Sequence, residues 1–206
     1  MYKTGGRLLK VCPQKEKLIM RPVLLVTTLI PPQARLPPEL SEPSQELYKI
    51  DDQPNYFYML GSMGLSSSIG LGLSIAQEKQ VISIDGDGSV LMNMNTLATI
   101  GNRAPVNYTL LIIDNGSYGS TGDQNTFTKE NTSLKEVAIG AGCKKVIECY
   151  GEDTADNLKK AINDKEHSYV IISKIKSGNI SVDPIPLNPI LIRERFRKFI
   201  GQVPYL

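Results

Sequence analysis

Two short apolar runs, residues 81–84 and 108–113, each end in a polar turn of Gly, Asp and Asn, and this pairing most limits what the chain can fold into. The runs are rich in β-branched residues and bounded by turn formers, as parallel strands covered on both faces are. Residues 90–100 between them read as a helix, so the unit is strand, helix, strand. A parallel sheet places its ligand at the carboxyl ends of its strands. Both polar turns, residues 85–89 and 114–119, leave such ends.

The chemistry of the turns is specific. Gly86 and Gly88 carry no Cβ, so backbone there can approach a ligand, and Gly88 and Ser89 open a helix whose free N–H groups favour an anion such as a diphosphate. Asp87 and Asn115 add one anionic and one neutral oxygen. A hard divalent cation that shares phosphate oxygens needs few protein ligands of this kind, and Mg²⁺ bridging a diphosphate fits. Each turn alone is an ordinary structural turn. Other phosphate-binding patterns, G-x-x-x-x-G-K-[ST] and a helix-opening G-x-G-x-x-G, are absent.

Gly86-Asp87-Gly88, followed 28 positions after the Asp by Asn115 at a strand end, resembles the thiamine-diphosphate binding motif. The resemblance implies that the Asp87 and Asn115 side chains and the Ser117 backbone carbonyl bind Mg²⁺. Ser89, Tyr118 and Gly119 complete the cofactor contacts. The family often has Asn where this chain has Asp114, a position that is not a ligand. Upstream, Gly61-Ser62-Met63-Gly64 resembles the turn that lies against the cofactor's aminopyrimidine in this family, with Met63 as the apolar wedge that keeps the cofactor bent. Residues 44–175 as a whole are similar to the diphosphate-binding subunits of the sulfopyruvate decarboxylase family, which serves coenzyme M biosynthesis, and to phosphonopyruvate decarboxylases.

That likeness implies a doubly wound, mostly parallel α/β sheet with helices on both faces, binding thiamine diphosphate and Mg²⁺. The implied reaction is loss of CO₂ from a small 2-oxo acid, 3-sulfopyruvate above all, to give an aldehyde. Ser120, Thr121 and Gln124 either belong to a flexible loop or hydrogen-bond the sulfonate or phosphonate tail. The activating glutamate of the family lies in a second α/β domain. Glu16, Glu39, Glu42 and Glu46 sit in no strand-helix-strand context, so the glutamate is expected from a partner, an alpha subunit carrying the pyrimidine-binding domain. The alternatives are the corresponding part of another thiamine-diphosphate enzyme (phosphonopyruvate decarboxylase or an acetolactate-synthase-like carboligase) and a catalytically silent binding module.

With 206 residues the chain suffices for one α/β domain. A net charge of +2 with scattered Lys and Arg gives no nucleic-acid stripe, and no apolar run is long enough for a membrane span. Cys12, Cys143 and Cys149 suit a reducing cytoplasm and no iron–sulfur motif. Residues 1–43 read as an irregular Pro-rich segment with one possible strand at 23–30, and residues 44–206 as the cofactor-binding domain. Within the latter, expected helices cover 44–50 (capped by Ser44), 65–78, 133–142 (capped by Ser133), 154–164 and 189–200 (capped by Asn188). Expected strands cover 55–60, 145–149 and 169–175, with a polar loop at 123–132 and His167 as a turn residue.

Overall fold

A computed structural model of the chain describes residues 24–29, 43–119, 121–177 and 183–201. The main strands are β1 (Leu24–Leu29), β2 (Tyr56–Leu60), β3 (Val81–Gly86), β4 (Tyr108–Asp114), β7 (Lys145–Tyr150) and β8 (Tyr169–Lys174). They form one six-stranded sheet in the order β2-β1-β3-β4-β8-β7, with every pair parallel. Between β4 and β7 a short antiparallel hairpin joins β5 (Ser117–Tyr118) to β6 (Gln124–Asn125). The helices are α1 (Pro43–Ile50), α2 (Leu65–Ala76), α3 (Asp87–Met92), α4 (Asn95–Arg103), α5 (Leu134–Gly140), α6 (Thr154–Asn163) and α7 (Pro189–Phe199).

Alternation along the central strands builds two cores. Val81, Leu110, Ile112, Val170 and Ile172 pack with residues of α2, α4 and α5 on one face. Ile82, Leu111, Ile113 and Ile171 pack with Leu47 of α1 and Ala161 of α6 on the other. Burial on both sides explains why these strands read as unbroken apolar runs. Helix α7 sends Phe196 into the first core and Ile192 into the second.

The strand expected at 23–30 forms as β1 and lies between β2 and β3, so the sheet draws one strand from the segment read as irregular. Apart from Pro43, which starts α1, the rest of that segment, with Cys12, Glu16, Glu39 and Glu42, lies outside the described residues. The helix expected over 90–100 is in fact two, α3 and α4, separated at Asn93 and Met94. The break has a tertiary cause: Asn93 Nδ2 donates to the Gly64 carbonyl at 2.6 Å and contacts Ser68 Oγ at 3.0 Å. Helix α1 starts at Pro43, which places Ser44 inside its first turn instead of at the cap. Ser133 and Asn188 do cap α5 and α7, accepting from the Glu136 and Ile190 N–H groups. His167 lies in the turn before β8, with Nδ1 3.1 Å from Asp164 Oδ2.

The small residues of α2 allow close packing on the sheet. Ser66 and Ser67 are buried, Ser66 donates to the Ile84 carbonyl, and a Cβ on Gly70 would lie 2.0 Å from Ser83 Oγ. Helix α7 is fastened by Arg195, whose two terminal nitrogens lie 2.6 and 2.7 Å from the two Asp52 oxygens and whose guanidinium lies 5.6 Å from the Tyr58 ring centre. Tyr58 also donates to Asp52 at 2.9 Å. Asp52 pushes the Arg195 pKa up through these bonds. We expect Asp52→Ala to lower stability by about 1.5–3 kcal/mol, the range for hydrogen bonds to charged groups. Urea unfolding checks this, as a lower midpoint at unchanged slope.

Candidate active site

Three turns meet at the carboxyl edge of the sheet, after β2, β3 and β4. The first holds Gly61, Ser62, Met63 and Gly64, with positive φ at Gly61 (67°), Ser62 (56°) and Gly64 (89°). A Cβ on Gly64 would lie 2.7 Å from Asn93 Cβ and 2.8 Å from the Ser89 carbonyl, so both conformation and space demand glycine. Gly64 N–H donates to Ser89 Oγ at 2.6 Å, which ties this turn to the one after β3. Met63 is half-buried and Ser62 exposed.

The second turn is Gly86, Asp87, Gly88 and Ser89. Gly86 caps α3, which opens at Asp87, one residue earlier than expected. Apart from its chain neighbours, no atom of the described residues lies within 4 Å of where a Gly86 Cβ would be, so the space above it is open to a ligand. At Gly88 the corresponding space is filled from within: a Cβ would sit 2.3 Å from Tyr118 Cε1. Gly88 thus accommodates the Tyr118 ring, a role that the sequence did not suggest.

Asp87 is 1 % exposed. Its Oδ2 accepts from Thr126 Oγ1 at 2.5 Å and from Thr128 Oγ1 at 2.7 Å. Burial pushes the carboxyl pKa up, the two hydroxyls oppose that rise, the charge of Asp114 adds to it, and the Gly88 N–H opposes it. Register brings the third turn alongside, because Gly86 pairs with Ile113. There Asp114 Oδ1 accepts from Gly116 N–H at 3.2 Å and lies 2.9 Å from Thr128 Oγ1, while Asp114 Oδ2 lies 2.5 Å from Lys174 Nζ. Asn115 Oδ1 accepts from Ser117 N–H at 2.9 Å, a local turn that uses one of the oxygen's two lone pairs. Ser117 is 7 % exposed, and its Oγ is buried with no hydrogen-bond partner among the described residues.

These observations test the fit of a metal and a diphosphate. A buried carboxylate, an amide oxygen with a lone pair to spare and nearby backbone carbonyls are hard oxygen donors suited to Mg²⁺. The open space over Gly86 and the orphaned Ser117 hydroxyl leave room and a polar partner for a ligand. The residues present fit the pair.

Of the residues expected to face a substrate tail, Thr121 and Gln124 are exposed and bonded to each other, Thr121 Oγ1 to Gln124 Oε1 and Gln124 Nε2 to the Thr121 carbonyl, both at 3.1 Å. Ser120 lies outside the described residues. Gly119, half-buried, follows β5. The polar loop expected at 123–132 instead contains β6 and a 3-10 turn, Phe127–Lys129. That turn returns Thr126 and Thr128 to Asp87. Sequence reasoning missed both threonines and Lys174, and no local pattern marked them.

Fold and site together define a parallel, doubly wound α/β domain with its ligand turns at the strand ends. The family model for the thiamine pyrophosphate enzyme C-terminal TPP binding domain matches residues 42–172. The sulfopyruvate decarboxylase subunit beta of Methanocaldococcus jannaschii is 48% identical over 158 residues, covering 77% of this chain and 84% of that protein. That of Methanococcus maripaludis is 47% identical with the same coverage. A phosphonopyruvate decarboxylase of Streptomyces viridochromogenes is 35% identical over 85% of this chain and 44% of its own length. Among solved structures, the 2-oxoglutarate:ferredoxin oxidoreductase of Magnetococcus marinus superposes with a TM-score of 0.57 at 12% identity, covering 89% of this chain and 79% of that one. The chain belongs to the thiamine pyrophosphate enzyme family, as its C-terminal TPP binding domain.

Proposed function

We propose that this chain is the beta subunit of a thiamine-diphosphate-dependent decarboxylase that converts 3-sulfopyruvate to sulfoacetaldehyde and CO₂. The observation that carries the reading is the junction of the two cofactor turns, Gly64 N–H to Ser89 Oγ at 2.6 Å, with Asp87 and Asn115 just past the ends of the adjacent strands β3 and β4. The relatives named as sulfopyruvate decarboxylase subunits support the substrate, and their designation as subunit beta supports a partner alpha chain. No described helix is long and apolar enough to cross a membrane, and Cys143 and Cys149 are free thiols, in keeping with a cytoplasmic enzyme.

In this reading Asp87, Asn115 and the Ser117 carbonyl would hold Mg²⁺, and Gly86, Gly88 and Ser89 would receive the diphosphate at the start of α3. Gly61, Ser62 and Gly64 set the turn that presents Met63 as the wedge, and Tyr118 and Gly119 border the cofactor. When bound, the cofactor supplies a thiazolium that accepts the electron pair released as CO₂ departs. Thr121 and Gln124 would exchange their mutual bonds for the sulfonate, with Ser120 the third group that the sequence assigns to it. The partner chain contributes the glutamate that activates the pyrimidine and the second wall that keeps water from the reacting carbon.

The test is CO₂ release by the complex from sulfopyruvate, phosphonopyruvate and pyruvate, with product analysis. Preference for sulfopyruvate and release of free aldehyde are expected. A two-substrate adduct would point to a carboligase instead. Within this assay Met63→Ala is expected to lower kcat about tenfold or more, ~1.4 kcal/mol of transition-state stabilisation, with cofactor affinity within about threefold of the parent. Unchanged turnover would show Met63 to be packing only.

A further inference from the structure

The groups behind Asp87 carry an inference that rests on the metal and cofactor reading above and goes beyond it. Four contacts of 2.5–2.9 Å converge on two threonines: Thr126 Oγ1 on Asp87 Oδ2, Thr128 Oγ1 on the same oxygen, Thr128 Oγ1 on Asp114 Oδ1, and one hydroxyl on the other. Two hydroxyls carry two protons. If Thr126 donates across its 2.5 Å contact to Asp87, Thr128 has one proton for the three oxygens around it. With that proton on Asp87, both threonines act on the carboxylate through a single oxygen, Oδ2.

The neighbouring carboxylate is treated differently. Asp114 Oδ2 is paired with Lys174, and Oδ1 accepts the Gly116 N–H and meets Thr128. At 3 % exposure Asp114 is balanced by a cation of its own chain and engaged on both oxygens. Two buried carboxylates so close together repel each other unless one is neutralised by a cation. Lys174, at the end of β8, does this for Asp114.

We infer that Thr126, Thr128 and Lys174 are positioning residues for the metal. The threonines hold the Asp87 carboxylate by Oδ2 and assign Oδ1 to the cation, and Lys174 withdraws Asp114 from competition. Groups that orient a ligand in this way set metal affinity without touching the metal. The arrangement also gives the hairpin a purpose, since β5 and β6 deliver Thr126 and Thr128 to Asp87 at the start of α3 across about 40 residues of chain.

Mn²⁺ binding followed by electron paramagnetic resonance tests this without reference to turnover, in the full chain assembled with its partner and saturated with thiamine diphosphate. Thr128→Val is expected to weaken Mn²⁺ binding roughly 10- to 100-fold, as losses behind a metal ligand do, and Thr128→Ser to restore it to within about threefold. Should the valine variant not fold, Thr128→Ala, which adds no bulk, is expected to show the same loss. Parental Mn²⁺ affinity in a folded Thr128→Val or Thr128→Ala variant would overturn the positioning role while leaving the cofactor reading intact. No Mn²⁺ binding by the parent would instead overturn the cofactor reading, and this inference with it.

Discussion

Asp87→Ala is expected to leave the melting temperature of the ligand-free protein within a few degrees of the parent and to abolish the rise that Mg²⁺ and thiamine diphosphate produce. The first half follows from burial. The fold pushes the Asp87 carboxyl pKa up, so at neutral pH the ionised group costs the ligand-free fold stability, a cost that falls as pH is lowered through the raised pKa. Removing the carboxylate relieves that cost, against the loss of the Thr126 and Thr128 hydrogen bonds. The second half follows from mass action. Ligand at 100 times its Kd stabilises the parent by about 2.7 kcal/mol, which for a chain of this size is a shift of roughly 5–10 °C. Without the metal ligand that shift disappears. A full ligand-induced shift in Asp87→Ala, by thermal melt or calorimetry, would remove Asp87 from the site.

The parts of this site that were legible in the sequence are those whose chemistry is local. Gly86, Asp87, Gly88 and Asn115 stand out because a turn suited to an anion or a cation uses few residue types, and β-branched runs on either side show where the strands end. The same runs made the buried parallel sheet legible. Its strand order was not, because placing β1 between β2 and β3 depends on long-range pairing that leaves no mark on residues 24–29. The split between α3 and α4 escaped notice for a similar reason. The apolar spacing from Val90 to Ile100 continues through Asn93, and only the Gly64 carbonyl and Ser68 hydroxyl explain why that asparagine interrupts the helix.

Thr126, Thr128 and Lys174 illustrate the limit most clearly. They lie 39, 41 and 60 positions from the carboxylates they serve, in segments whose polarity and lack of period describe an ordinary loop or strand end. Tyr118 is an intermediate case. Its position in the turn after Asn115 placed it near the cofactor, yet its packing in the space of the absent Gly88 Cβ is a property of the folded turn. The interaction of α7 with Asp52 spans 143 positions and was equally invisible, although the cap and the apolar spacing of the helix itself were plain.

The most direct test of the account is a comparison of CO₂ release by the chain alone and by the chain with an alpha subunit carrying the pyrimidine-binding domain. In the proposed reading the turns after β2, β3 and β4 supply donors for the metal, the diphosphate and the cofactor bend, and the described residues build one such sheet. The activating carboxylate and the second wall are assigned to the other chain, and general acid–base assistance of that kind is worth about 10²–10⁴-fold. With Mg²⁺, thiamine diphosphate and sulfopyruvate the isolated chain should therefore release CO₂ at less than about 1 % of the rate of the complex, and adding the partner should restore turnover. Decarboxylation by the isolated chain at a rate close to that of the complex would contradict the account.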